Sequence, residues 1–219
     1  MNTGAAVVTP SSRSARAKDA IMRTAERLYA EHGFAHVSIR MIREAAGQRN
    51  KSAVQYHFST REELVQAILS RHAAAVDGRR LPMVAALEDQ DEVTQRDWIT
   101  CAIVPAVEHH LDLGTPSWYA RFLAQALVEP SLREDAARTT LSTPSFRRLE
   151  RLRPPSLRHH PLSGRHAAMV RLLVVHLSAE LEADLAAGRV PADTAESSWR
   201  ELGDHLVTAV CGLGTALLR

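Results

Sequence analysis

The chain has 219 residues, 45% apolar and 24% charged, a balance that suits one large or two small globular units and excludes both a miniprotein and a disordered polymer. Cys101 and Cys211 stand far apart without metal-type spacing, so neither a disulfide framework nor a zinc ribbon is expected, and a reducing, cytoplasmic setting suits them. The net charge of +2 hides an asymmetry: residues 1–80 hold 13 Lys and Arg against 7 Asp and Glu, whereas residues 81–219 hold 14 against 18, so the N-terminal third is the part that would seek anions.

Residues 1–13 mix Gly, Ala, Pro and Ser without period and read as a disordered arm. From Ser14 onward Ala17, Ile21, Ala25, Leu28 and Tyr29 recur at three- and four-residue spacing, which predicts an amphipathic helix stopped by Gly33. Ser38 is a candidate N-cap for a short second helix through Ala46, closed by Gly47. Lys51–His57 predicts a third short helix, with Ala53, Val54 and Phe58 inward, whose helicity must come from packing because so short a helix is marginal in water. Thr60 with Glu63 makes a capping box for a fourth helix that runs to about Val76 and breaks at Asp77-Gly78.

The remainder predicts helices divided by punctuators, with no period-two alternation, so the fold class is all-α. The pieces are Leu81–Glu88; Asp91–Leu111, kinked at Pro105; Ser117–Val128, started by Thr115-Pro116; and a helix opened by Pro130. Pro144–Gly164 holds four prolines, with five arginines between Arg147 and Arg158, and reads as a poorly ordered connection. His166–Ala187 and a last helix capped by Asp193 and Glu196 finish the chain. No stretch reaches the roughly 18 apolar residues of a membrane span, no secretory signal is legible, and no membrane partner is expected.

Three helices of which the second and third are short and joined by a tight turn make the arrangement of a helix-turn-helix DNA reader. Its third helix must fit a groove about 12 Å wide, so its rim must be polar and rich in donors. Arg49, Asn50, Lys51, Ser52, Gln55 and Tyr56 meet that demand, and the helix starts at Ser38 and Thr60 offer free N–H groups to phosphates. The stretch AAGQRNKSAVQYHFSTREEL, with RSARAKDAIMRTAERLYAEHGFAHVSIRMI before it, resembles the N-terminal domain of the TetR (tetracycline-repressor) family of transcriptional regulators. The matching features are the Ala-rich first helix ending in Gly33-Phe34, the Ser38 start, Ala46-Gly47, and His57-Phe58 followed by Arg61 and Leu64. Two features depart from the family pattern: Gly47 to Phe58 is one residue longer, and Gln55 replaces a common tyrosine. Arg61 keeps the cation of the usual lysine.

The resemblance implies a helix-turn-helix domain over 14–60 and a helical effector-binding and dimerisation domain over 61–219. The candidate DNA-contacting set is Ser38, Arg40, Arg49, Asn50, Lys51, Ser52, Gln55, Tyr56, His57 and Arg61. Trp98, Trp118, Tyr119 and Phe122 are candidates for a small-molecule effector cavity. Leu173, Leu177, Leu181, Leu202, Leu206 and Val210 offer more apolar surface than one helical layer needs and are candidates for a four-helix homodimer interface, with Gly203, Gly212 and Gly214 allowing close approach. The implied partners are a near-palindromic double-stranded operator, a second copy of the chain and a small-molecule effector, the protein acting as a cytoplasmic repressor. His109-His110, His159-His160 and the pair His176/Glu180 do not make a metal motif, and neither a P-loop nor a GxSxG elbow is present, so no metal, cofactor or enzyme activity is expected. The rival readings are a helical small-molecule or metal-binding protein and an adaptor whose basic face docks an acidic protein.

Overall fold

The computed structural model of the chain describes residues 10–47, 58–157 and 163–217. Within them are nine α-helices, two short 3-10 turns and no strand. The expected third helix, with Arg49, Asn50, Lys51, Ser52, Gln55, Tyr56 and His57, lies outside the described residues.

Helix α1 spans Pro10–His32, starting four residues before Ser14, and lays Ile21, Ala25, Leu28 and Tyr29 into the core. Gly33 at φ 76° ends it, its N–H donating to the Tyr29 carbonyl at 2.8 Å; the left-handed backbone there is what glycine permits. Helix α2, Ile39–Ala45, is capped as expected by Ser38, whose Oγ accepts from Met41 N at 3.3 Å.

Helix α3 runs without interruption over Arg61–Glu88, about 42 Å. The expected break at Asp77-Gly78 and the separate Leu81–Glu88 piece are therefore corrected. Gly78 costs about 1 kcal/mol in a helix interior and Pro82 removes one N–H. Contacts to distant residues offset both: Asp77 accepts from Ser145 N at 2.8 Å, and buried Arg80 donates to the carbonyls of Cys101 and Ala102 at 3.1 and 3.2 Å. Thr60 caps the start, its Oγ1 accepting from Glu63 N at 3.0 Å, while the Glu63 carboxylate reaches back to Ser59 N at 2.7 Å.

Helix α4, Gln95–Leu113, begins at a Thr94/Asp97 capping box rather than at Asp91 and continues through Pro105. Helix α5, Tyr119–Val128, begins two residues after the expected Ser117; the Thr115–Pro116 peptide is cis and does not open it. The capping group comes instead from another helix: buried Glu182 accepts from Ala120 N, Arg121 N, Ser117 Oγ and Arg121 Nε at 2.9–3.1 Å. Helix α6 is Arg133–Leu141.

Helix α7, Pro144–Arg151, occupies the stretch expected to be poorly ordered. Thr143 caps it, Pro144 supplies a first helical residue that needs no N–H partner, and its Leu149 is fully buried. Trp98 Nε1 donates to the Leu149 carbonyl at 2.9 Å, and Arg148 pairs with Glu88. Helices α8, Ser163–Ala186, and α9, Ala195–Leu217, complete the chain; a 3-10 turn over Ala192–Thr194 holds Asp193 just ahead of α9.

The core falls into three clusters. One joins α1, α2 and the first half of α3 to α5 and α6, so Tyr29, Phe34, Ile42, Leu64 and Ile68 share a core with Phe122, Leu123 and Leu132. A second lies between α4, α8 and α9, around Ile99, Val107, Trp199 and Leu206. A small third cluster, Val84, Leu87, Cys101 and Leu149, fastens the far end of α3 to α4 and α7.

Candidate nucleic-acid interface and helical cavity

At the N-terminal end, Gly47 turns the chain out of α2 at φ 66°, and Phe58 brings it back, buried against α1 with the Lys18 ammonium 5.4 Å from its ring. Gly47 and Phe58, the described residues nearest the expected third helix, thus both sit beside the core of α1, α2 and α3. Arg40 stands 79% exposed on α2, tied among the described residues to Glu44 one turn on at 2.8 Å, and can turn to an external anion at little cost. Arg61 is committed differently. Its guanidinium donates to the Phe34 carbonyl at 3.3 Å and to Ser131 Oγ at 3.4 Å, lying 6.0 Å over the Phe34 ring, so it clamps the start of α3 to the α1–α2 link and to the α5–α6 turn. Ser38 Oγ is occupied as a cap.

A buried polar chain leads from this end into the helical body. Glu26 on α1 accepts from Arg71 at 2.6 Å and pairs with His72 Nε2 at 2.8 Å, and His72 Nδ1 meets His109 Nε2 at 2.8 Å. The His72 ring stacks on Tyr119 at 3.7 Å, and His110 stacks on Trp199 at 4.7 Å. Burial, reinforced by the neighbouring His72, pushes His109 down to about 4; burial, with His109 and His72, pushes His110 down to about 3. Both rings are neutral near pH 7. Burial likewise drives the Tyr119 hydroxyl well above its usual range, so it stays protonated.

Beside this chain, helices α3 to α9 all contribute to the walls of a cavity of about 540 Å³. Its walls are apolar and aromatic, with Trp98, Ile99, Ile103, Leu123, Phe146, Val170 and Val174 among them; Tyr119 and His110 stand on the side that faces the polar chain. Arg80, Arg153 and Arg171 also reach the wall, against a single carboxylate, Glu150. This size and lining fit an organic molecule of moderate size.

Residues 21–68 match the sequence model of bacterial regulatory proteins of the tetR family. That segment resembles a TetR-family domain. Among solved structures, a protein assigned to the TetR-family transcriptional regulators from Mesorhizobium loti is similar at 15% identity, with 92% of this chain and 98% of that chain covered and a TM-score of 0.48. No curated protein matches the chain. The basic end of the chain is therefore the part similar to tetR-family regulators, and its core is continuous with an all-α body. No described helix is long and apolar enough to cross a membrane.

Of the four aromatic residues expected around an effector, Trp98 and Tyr119 line the cavity behind the TetR-family domain. Phe122 does not line it: it is fully buried in the cluster with α1, 5.7 Å from Phe34 and 6.3 Å from Tyr29, and Trp118 packs on that same cluster. The cavity residues that sequence reasoning missed are chiefly Phe146, Arg153 and Arg171, hidden in and beside a segment read as disordered. On the last two helices Leu173, Leu181 and Leu202 are half-buried against the inner cluster, while Leu206 and Val210 lie within it. The apolar surface left uncovered is Met169, Leu172 and Leu177 on α8, with Leu172 50% exposed. Two of the three glycines serve packing inside the chain: a Cβ on Gly203 would meet Val107 of α4 at 3.4 Å and one on Gly214 would collide with Gln95, whereas one on Gly212 would meet nothing.

Proposed function

We propose that the protein is a homodimeric, sequence-specific transcriptional repressor that holds a near-palindromic operator through residues 14–60 and is released from it when a small molecule enters the cavity formed within 61–219. The observation that carries this reading is the continuity of the TetR-family domain with a core that also walls a cavity. α5 gives Tyr119, Ala120 and Leu123 to the cavity, and Tyr119 and Leu123 join Phe122 and Ala126 in the cluster shared with α1 and α2. The exposed Met169, Leu172 and Leu177 support α8 as the surface that meets a second copy. Each subunit would then present one reading helix, with half-sites about one helical turn apart.

The test is fluorescence anisotropy with DNA from upstream of the protein's own coding region, across a salt series. Arg49→Ala and Lys51→Ala should weaken binding and flatten the salt dependence by about one counterion each, with unfolding curves unchanged. Wild-type affinity in both variants would refute the assignment of the groove-reading helix. Retention indifferent to sequence would favour an adaptor that docks an acidic protein.

A further inference from the structure

The charge around the cavity is unevenly answered. Arg80 is saturated, donating to two backbone carbonyls and to Ser145 Oγ at 3.4 Å, and Asp77 lies close enough to balance it. Arg153 lies 4.9 Å over the Trp98 ring and donates to Glu150 at 2.7 Å, so that cation also has its carboxylate. Arg171 has neither. It is half-buried on α8, its Nε is sealed from solvent without a hydrogen-bond partner, and it pairs with no carboxylate among the described residues. Arg153 Nε is likewise buried and unpartnered. A guanidinium donor closed off from water with nothing to donate to is costly, and the cost is recovered when an acceptor of opposite charge arrives. The fork of an arginine suits a carboxylate in particular.

We propose that the cavity takes a monoanionic organic acid, an apolar or aromatic body ending in a carboxylate, with Arg171 holding the carboxylate and the Trp98, Phe146 and Val170 walls holding the body. This rests on the reading of the cavity as the effector site and names the class of effector. The net charge sets the valence: with Arg80 and Arg153 balanced, a single positive charge is left, which one carboxylate neutralises and a dianionic phosphate would overshoot. The lining sets the rest, since apart from the charged groups the wall offers chiefly apolar and aromatic surface, with few neutral polar side chains to recognise a sugar or a polar amide.

The experiment is isothermal titration of the full chain with decanoate and biphenyl-4-carboxylate, each against its methyl ester, with operator release measured separately. At least one acid should bind tenfold or more tighter than its ester. Arg171→Gln should erase that preference while leaving ester affinity unchanged, and Arg171→Lys, which keeps the charge without the fork, should retain part of it; circular dichroism confirms that both variants are folded. Equal affinity of acid and ester, binding of neither, or a preference that survives Arg171→Gln would overturn the proposal. An acid that binds with the expected preference but leaves the operator complex intact upholds the ligand class and refutes the effector reading. An ester that releases DNA as well as its acid does the reverse.

Discussion

His110 gives the most direct handle on how this interior responds to acid. It lines the cavity on one side and stacks on Trp199 on the other, with Nδ1 buried and without a partner. Its folded-state value of about 3 lies below the ordinary value of 6.5, so the unfolded chain binds its proton first. The neutral ring's contribution is therefore fully present above about pH 6.5 and is lost as pH falls from there towards 3. Between about pH 7.5 and 5 the loss for this one residue is about 2 kcal/mol, from the separation of the unfolded value and the working pH at 1.36 kcal/mol per unit. His109, held down to about 4, adds a similar loss over the same interval. Together they make roughly 4 kcal/mol, a large share of an ordinary stability of about 5–15 kcal/mol.

His110→Phe keeps the stack on Trp199 and removes the titration. Urea unfolding at fixed protein concentration should show the gap between about pH 7.5 and pH 5 shrinking by about 2 kcal/mol in the variant. At the higher pH the variant should stay within about 1 kcal/mol of wild type, because relief of the orphaned Nδ1 opposes the strain of a larger ring. An unchanged pH response would show that His110 is not held neutral by its surroundings and would refute the argument.

Two further outcomes follow from packing. Glu182→Ala removes the carboxylate that caps α5 and leaves two N–H groups and Arg121 unanswered; it should cost about 3–4 kcal/mol in urea unfolding, and a loss under about 1 kcal/mol would contradict the capping role. Leu172→Asp with Leu177→Asp places like charges across the expected twofold interface, so sedimentation velocity should show monomers that have lost operator affinity; an intact dimer would place the interface elsewhere.

The parts of this fold that are legible in the sequence are those whose causes lie within a few residues. Ser38 and Thr60 cap the helices that follow them, and Gly33 and Gly47 stop the helices before them, because each acts on backbone groups one turn away. What escapes local reasoning has a distant cause. The start of α5 is fixed by Glu182, more than sixty residues on, and the continuity of α3 past Gly78 by Ser145, Cys101 and Ala102. Helix α7 was hidden differently: its Thr143-Pro144 start is a local signal, but Arg147, Arg148 and Arg151 among nearby prolines made the segment look unstructured, although Leu149 is fully buried. The polar chain Glu26–His72–His109 leaves no pattern at all, since each member is a lone polar residue on an apolar face.

The same long-range packing decides which parts can move independently. The α1–α2 unit cannot pivot alone, because Tyr29 and Phe34 are packed against Phe122 of α5, and Arg61 ties the α1–α2 link to the α5–α6 turn. Tyr119 and Leu123, neighbours of Phe122 in the same core cluster, also reach the cavity wall. A helix packed on two faces transmits displacement rather than absorbing it, because a close-packed interior has few empty volumes into which side chains can yield. A ligand that filled the cavity would press on α5, and the shortest mechanical route from there ends at Phe34 and the start of α2. A hydrogen-bonded route runs parallel, from His109, which precedes the cavity-lining His110 on α4, to His72 and Glu26 on α1. Both routes end on the α1–α2 unit, so under the proposed function a ligand need favour one placement of α5 by only a few kcal/mol to shift that unit.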